Sequence, residues 1–158
     1  MMRNGSILTA GAAALALAAC ATPGAGPTTL TATLTGYQAV PGPGDLDGTG
    51  TAQVRLEPQA GRLCYTLAAR GIDPAETAHI HRGEAGSVGG PVANLTPPVP
   101  ERSEGCTPLD AELLAEMRAR PHAFYVNIHN AAFPQSAIRG QLRGEVRRPG
   151  GQPVRQGR

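Results

Sequence analysis

The chain has 158 residues, a formal net charge of +2, and 41% hydrophobic against 16% charged residues. Arg3 and the four arginines of 147–158 carry five positive charges, so the stretch between them holds a net −3. With the basic charge confined to the ends, no basic helix, no Trp and only two Phe and three Tyr for stacking, the composition argues against nucleic-acid binding.

The N-terminus speaks to the compartment. Arg3 precedes an apolar run from Ile7 to Ala19, shorter than the ~20 residues a membrane-spanning helix needs and suited to the core of a secretory signal. The run ends in Leu17-Ala18-Ala19-Cys20, which resembles the lipobox of bacterial lipoproteins. That resemblance implies cleavage before Cys20, acylation of its thiol (diacylglyceryl, typically palmitate-containing) and a membrane anchor. An ordinary secretory signal cut after Ala19 is the alternative. Ala21 after the cysteine, where an Asp would retain the protein at the inner membrane, implies an outer-membrane lipoprotein, periplasmic or surface-exposed. Residues 20–28 form a Pro/Gly/Thr tether, 29–146 one domain, and 147–158 a disordered basic tail. With Cys20 acylated, Cys64 and Cys106 remain in an oxidising compartment, where a disulfide between them is expected.

The domain reads as β. "TLTATLTGY" (29–37), "TAQVRLE" (51–57) and "RLCYTLAA" (62–69) alternate with period two, and "PQAG" (58–61) turns the second into the third as a hairpin. "PVANL" (91–95), "FYVNIHN" (124–130) and "IRGQLRGEV" (138–146) are further extended pieces. One helix is expected after Thr107, with Thr107 as N-cap, Pro108 in the first turn and an apolar side of Leu109, Leu113, Ala115 and Met117. The sum is an all-β, antiparallel, Greek-key-like β-sandwich of about seven strands with one short helix.

The chemistry concentrates in "AHIHRGEAGSVGGPV" (78–92). In an extended 78–81, His79 and His81 share one face and Ala78 and Ile80 the other. In 124–130, Tyr125, Asn127 and His129 form the polar side opposite Phe124, Val126 and Ile128. If these strands are neighbours, His79, His81 and His129 converge, enough for Cu or Zn with a water in the open position. His122 sits outside this phase. The same rings could instead hold strands and loop together through bonds to loop carbonyls, with Asn127 and Arg139 as further donors. Arg139 and Gln141 share a face, and a carboxylate in the body is the preferred partner for Arg139. Glycines 83, 86, 89 and 90 read as turn formers that permit positive φ.

Two blocks carry a family resemblance. "AHIHRGEAGSVGGPV" is similar to the A-H-I-H-x-G-x-x-G-x-x-G-P-V pattern of the CHRD domain, matching at Gly83, Gly86, Gly90 and Pro91 with one extra residue before the Gly-Pro pair. "FYVNIHNAAFPQSAIRGQL" (124–142) is similar to that family's second block, matching at Asn127, Arg139, Gly140 and Gln141 and departing at Ser136, where the family has glycine. The resemblance, to bacterial lipoprotein members, spans about 29–146 and implies a compact extracellular β domain with no established enzymatic activity. Ser87 lies near His81, but no nucleophile-elbow pattern surrounds it. The His-x-His pair before a glycine loop is similar to Cu/Zn superoxide dismutases, yet four histidines are too few for their metal pair. The expectation is a lipid-anchored extracytoplasmic module without catalytic activity or resident cofactor, binding a protein or glycan; the alternative is a Cu- or Zn-binding protein.

Overall fold

The computed structural model describes residues 26–144. The signal, Cys20, most of the tether and the basic tail lie outside the described residues. Nine strands and one helix follow: β1 (Thr28–Thr35), β2 (Thr49–Glu57), β3 (Arg62–Arg70), β4 (Thr77–Arg82), β5 (Pro91–Leu95), β6 (Arg102–Pro108), α1 (Ala111–Ala119), β7 (Phe124–His129), β8 (Ile138–Gln141) and β9 (Arg143–Gly144).

All pairings are antiparallel, in the order β5-β4-β7-β8-β1-β2-β3-β6, with β9 also on β1. The all-β class with one helix is as expected, but the strands form one continuous sheet that coils toward a barrel. Its end strands β5 and β6 are tied through Thr96. The Ser103 hydroxyl donates to the Thr96 carbonyl at 2.7 Å, and Tyr65 Oη accepts from the Thr96 amide at 2.8 Å. Coiling brings the inward faces together, and Leu30, Leu34, Val54, Leu67, Ile80, Val126, Ile128 and Ile138 are completely buried among them. Each such side chain contributes roughly 1.5–3 kcal/mol by leaving water.

The alternation of the sequence explains most strands. In β3 the odd residues Leu63, Tyr65, Leu67 and Ala69 are buried and Cys64, Thr66 and Ala68 half-buried. The β2–β3 hairpin turns on a 3-10 segment at Pro58–Ala60, closed by Gly61 at φ 60°. Across β3 and β6, Cys64 and Cys106 face each other in register and are joined by a disulfide.

Three expectations need correction. The segment containing Cys106 is a strand, β6, so Thr107 belongs to the sheet and does not cap the helix. Asp110 is the N-cap: its carboxylate accepts from the amides of Glu112 and Leu113. The helix buries Leu114 and Met117, leaving Ala115 exposed and Leu113 half-buried. Finally, 138–146 is two strands over its described part. Leu142 breaks the ladder between them, its amide bonding to the Phe124 carbonyl at 2.9 Å.

Candidate metal centre

β4 and β7 are neighbours, and their register fixes the site. His79 pairs with Asn127, His81 with Tyr125 and Thr77 with His129. Residues opposite each other in an antiparallel pair share a face, so His79, His81, Tyr125, Asn127 and His129 gather on the side away from Ile80, Val126 and Ile128. A β-bulge at Ile80/His81 shifts the register against β5. His81 is 9% exposed, covered by the Gly89 carbonyl and the Tyr125 ring, although its strand neighbour Ile80 is completely buried on the other side.

The three rings are in mutual reach, with one nitrogen of each within 4.8 Å of the others. His81 Nδ1 lies 2.8 Å from the Gly89 carbonyl and His129 Nδ1 3.1 Å from the Pro134 carbonyl. A carbonyl only accepts, so both rings carry their proton on Nδ1 and present an Nε2 lone pair. His81 Nε2 is buried with no hydrogen-bond partner among the described residues. His129 Nε2 is 3.3 Å from His79 Nδ1, which donates to it. Two tautomers are thus fixed from outside the cluster, and the third adapts to them.

Burial is the first cause of a lowered pKa at all three histidines. At His79 the neighbouring His129 and His81 depress it further. At His81 and His129 the carbonyl bonds work in the opposite direction without overcoming burial. The cluster is therefore held neutral, the form in which imidazole binds a metal.

The surrounding loops are clamped. Arg139, 2% exposed, donates to the Ser87 carbonyl at 2.6 Å and the Glu84 carbonyl at 2.9 Å. It pairs with loop carbonyls and not with the carboxylate expected. Its guanidinium lies 3.5 Å from the Tyr125 ring centre, and Tyr125 stacks on His81 at 4.9 Å. Gln141 donates to the carbonyls of Gly83 and His122, both at 2.6 Å. His122 gives only this carbonyl and stands outside the histidine group. On the other side Asn127 donates to the Gln135 carbonyl at 3.2 Å and accepts from the Ser136 hydroxyl at 2.6 Å. Ser136, at the family's glycine position, thus adds a bond; no non-glycine among the described residues has positive φ.

The glycines need a correction as well. Of 83, 86, 89 and 90, Gly86 alone has positive φ, at 80°. Gly89 is required by crowding: a Cβ there would stand 1.5 Å from the Arg82 carbonyl oxygen. That approach lets the Gly89 carbonyl reach His81. Pro91 opens β5 opposite His81, and Gly140 sits in β8 opposite Val126. The Ser87 hydroxyl donates to the Glu84 carbonyl at 2.8 Å and makes no bond to His81, so no nucleophile–base pair exists there. Tyr125, whose hydroxyl accepts from the Gly89 amide at 3.2 Å, was legible only as a polar-face residue. Its flanking position beside His81 in the register was the missing signal.

A model of the CHRD domain family matches residues 30–142. No curated protein matches the chain, and no solved structure does.

Proposed function

The chain belongs to the CHRD domain family, and from that premise we propose that it is a lipid-anchored, extracytoplasmic, non-catalytic binding module whose ligand is a copper or zinc ion at His79, His81 and His129. One observation carries the metal reading. His81 Nε2 is buried without a partner while Nδ1 of the same ring is fastened to Gly89. An unpaired buried polar atom costs about 1–3 kcal/mol, and a metal bond removes that cost. The carbonyl behind each of two rings is the outer support that metal-bound histidines have.

The spacing supports the same reading. Bonds of ~2 Å in a tetrahedral set would place nitrogens ~3.3 Å apart; His79 Nδ1 and His129 Nε2, joined by their hydrogen bond, are at 3.3 Å, and one nitrogen of each of the three rings lies within 4.8 Å of the others. His79 has no carbonyl anchor and is half-buried, so it is the ring with freedom to close on the ion. On loading, its proton moves from Nδ1 to Nε2 and the ring stays neutral. The envelope address rests on the Leu-Ala-Ala-Cys20 ending of the signal and agrees with the Cys64–Cys106 disulfide.

The test is metal content after purification without chelators, followed by titration of the stripped protein with Zn(II) and Cu(II). One equivalent should bind near neutral pH. A protein that takes up neither ion would overturn the reading and leave the histidines as fasteners of the loops.

A further inference from the structure

Three imidazoles leave one position of a tetrahedral ion free, and we infer that in the loaded protein a small carboxylate takes it. This rests on the metal reading of the same cluster. Among the described residues the group able to hold an ion contains histidine alone, without Asp, Glu or Cys. Its donors are neutral, so a divalent ion keeps its full charge. The fixed charge stacked beside the site is also positive, because Arg139 lies on the Tyr125 ring that stacks on His81 and pairs with no carboxylate among the described residues. An anion is what such a centre attracts.

The choice of a carboxylate follows from the strand register. The His81 side is closed by the Gly83–Gly90 loop and its clamps. Away from that loop, β5 and β4 place Asn94 opposite His79 and Thr77 opposite His129. Both residues are exposed on the face of the histidines, with Cβ atoms ~5 Å from those of their partners. One carboxylate oxygen on the ion leaves the second oxygen toward the Asn94 amide and the Thr77 hydroxyl. Water or a monatomic anion fills the metal position without offering these donors a second acceptor.

Co(II) serves as the probe, because imidazole-bound Co(II) absorbs in the visible and its bands shift when a ligand changes. Co(II)-loaded protein is titrated with acetate and, separately, with bromide. Both should shift the bands. The double variant Thr77→Val with Asn94→Ala should weaken acetate at least about fivefold, the value of one ordinary hydrogen bond, and leave bromide affinity unchanged. Bands that ignore acetate overturn the inference. So does equal acetate affinity in wild type and variant, or an equal loss for both anions. Wild type that takes up neither Co(II) nor Zn(II) nor Cu(II) overturns the metal reading itself, a result distinct from these.

Discussion

Replacing Arg139 by Lys keeps the charge and removes the fork. The guanidinium holds two loop carbonyls, Ser87 at 2.6 Å and Glu84 at 2.9 Å, and lies over Tyr125 with its carbon 3.5 Å from the ring centre. An ammonium on a shorter reach can keep one carbonyl at best and loses the planar contact. One charged hydrogen bond is worth about 1.5–3 kcal/mol, and the stacked cation about 1 kcal/mol more. Arg139→Lys should therefore cost about 3 kcal/mol, a large share of the 5–15 kcal/mol typical of a domain. In urea, with a slope of about 1.5 kcal/mol per molar, the midpoint should fall by about 2 M. The loss is local in origin, so amide exchange of residues 84–90 should accelerate more than that of β2 and β3. Support behind a metal-bound histidine is worth roughly 10–100-fold in affinity, and Zn(II) affinity should fall within that range. A midpoint shift below about 0.3 M with unchanged exchange in the loop would refute the clamp.

Three further outcomes are expected. Changing both Cys64 and Cys106 to Ser opens a loop of 42 residues and should cost about 4 kcal/mol by chain entropy; an unchanged urea midpoint, or free thiols in the unreduced wild type, would contradict it. Cys20→Ser should move the protein from the membrane to the soluble fraction, and a wild type already soluble with an unmodified Cys20 would end the lipoprotein reading. Finally, all three histidines titrate below the ordinary 6.5 in the fold, so below that value the unfolded chain binds protons that the folded one does not. Metal-free protein should lose stability as pH falls from about 6.5 toward the folded values and gain nothing from these groups above it. A variant with all three changed to Gln should show a flatter urea-midpoint profile between pH 7 and 5, and an identical slope would count against the burial argument.

What the sequence made legible was decided by burial. β4 and β7 each alternate an apolar with a polar residue, so the phase that places Ile80 and Val126 inside also places His79, His81 and His129 together outside. β6 gave no such signal. Its residues, Arg102-Ser-Glu-Gly-Cys-Thr-Pro108, sit at the end of the sheet and alternate only between exposed and half-buried, and a strand that covers little core needs no apolar period. The helix start was misplaced for the same reason. Thr107-Pro108 fits a cap and first turn as well as Asp110 does, and only the pairing of Thr107 with Leu63 settles which is used. The partner of Arg139 was out of reach of pattern reading, because a backbone carbonyl leaves no mark in the sequence.

The two readings of the histidines use different atoms, and this makes them separable at one residue. In His81 the Nδ1–H fastens the loop to β4 through Gly89, and Nε2 is the atom without a partner. An asparagine places its amide nitrogen near the position of Nδ1 and has nothing at Nε2. A glutamine reaches toward Nε2 and has nothing at Nδ1. His81→Asn should retain most of the loop's protection from amide exchange, since the bond to the Gly89 carbonyl can re-form, and should lose Zn(II) binding by two orders of magnitude or more. His81→Gln should loosen the loop while keeping a weak oxygen or nitrogen donor toward the ion. If Asn destabilises the loop as much as Gln does, the carbonyl bond is not what fastens it. If Asn binds Zn(II) as tightly as wild type, His81 is no ligand, and the unpartnered nitrogen is a cost the fold tolerates for the sake of the stack on Tyr125.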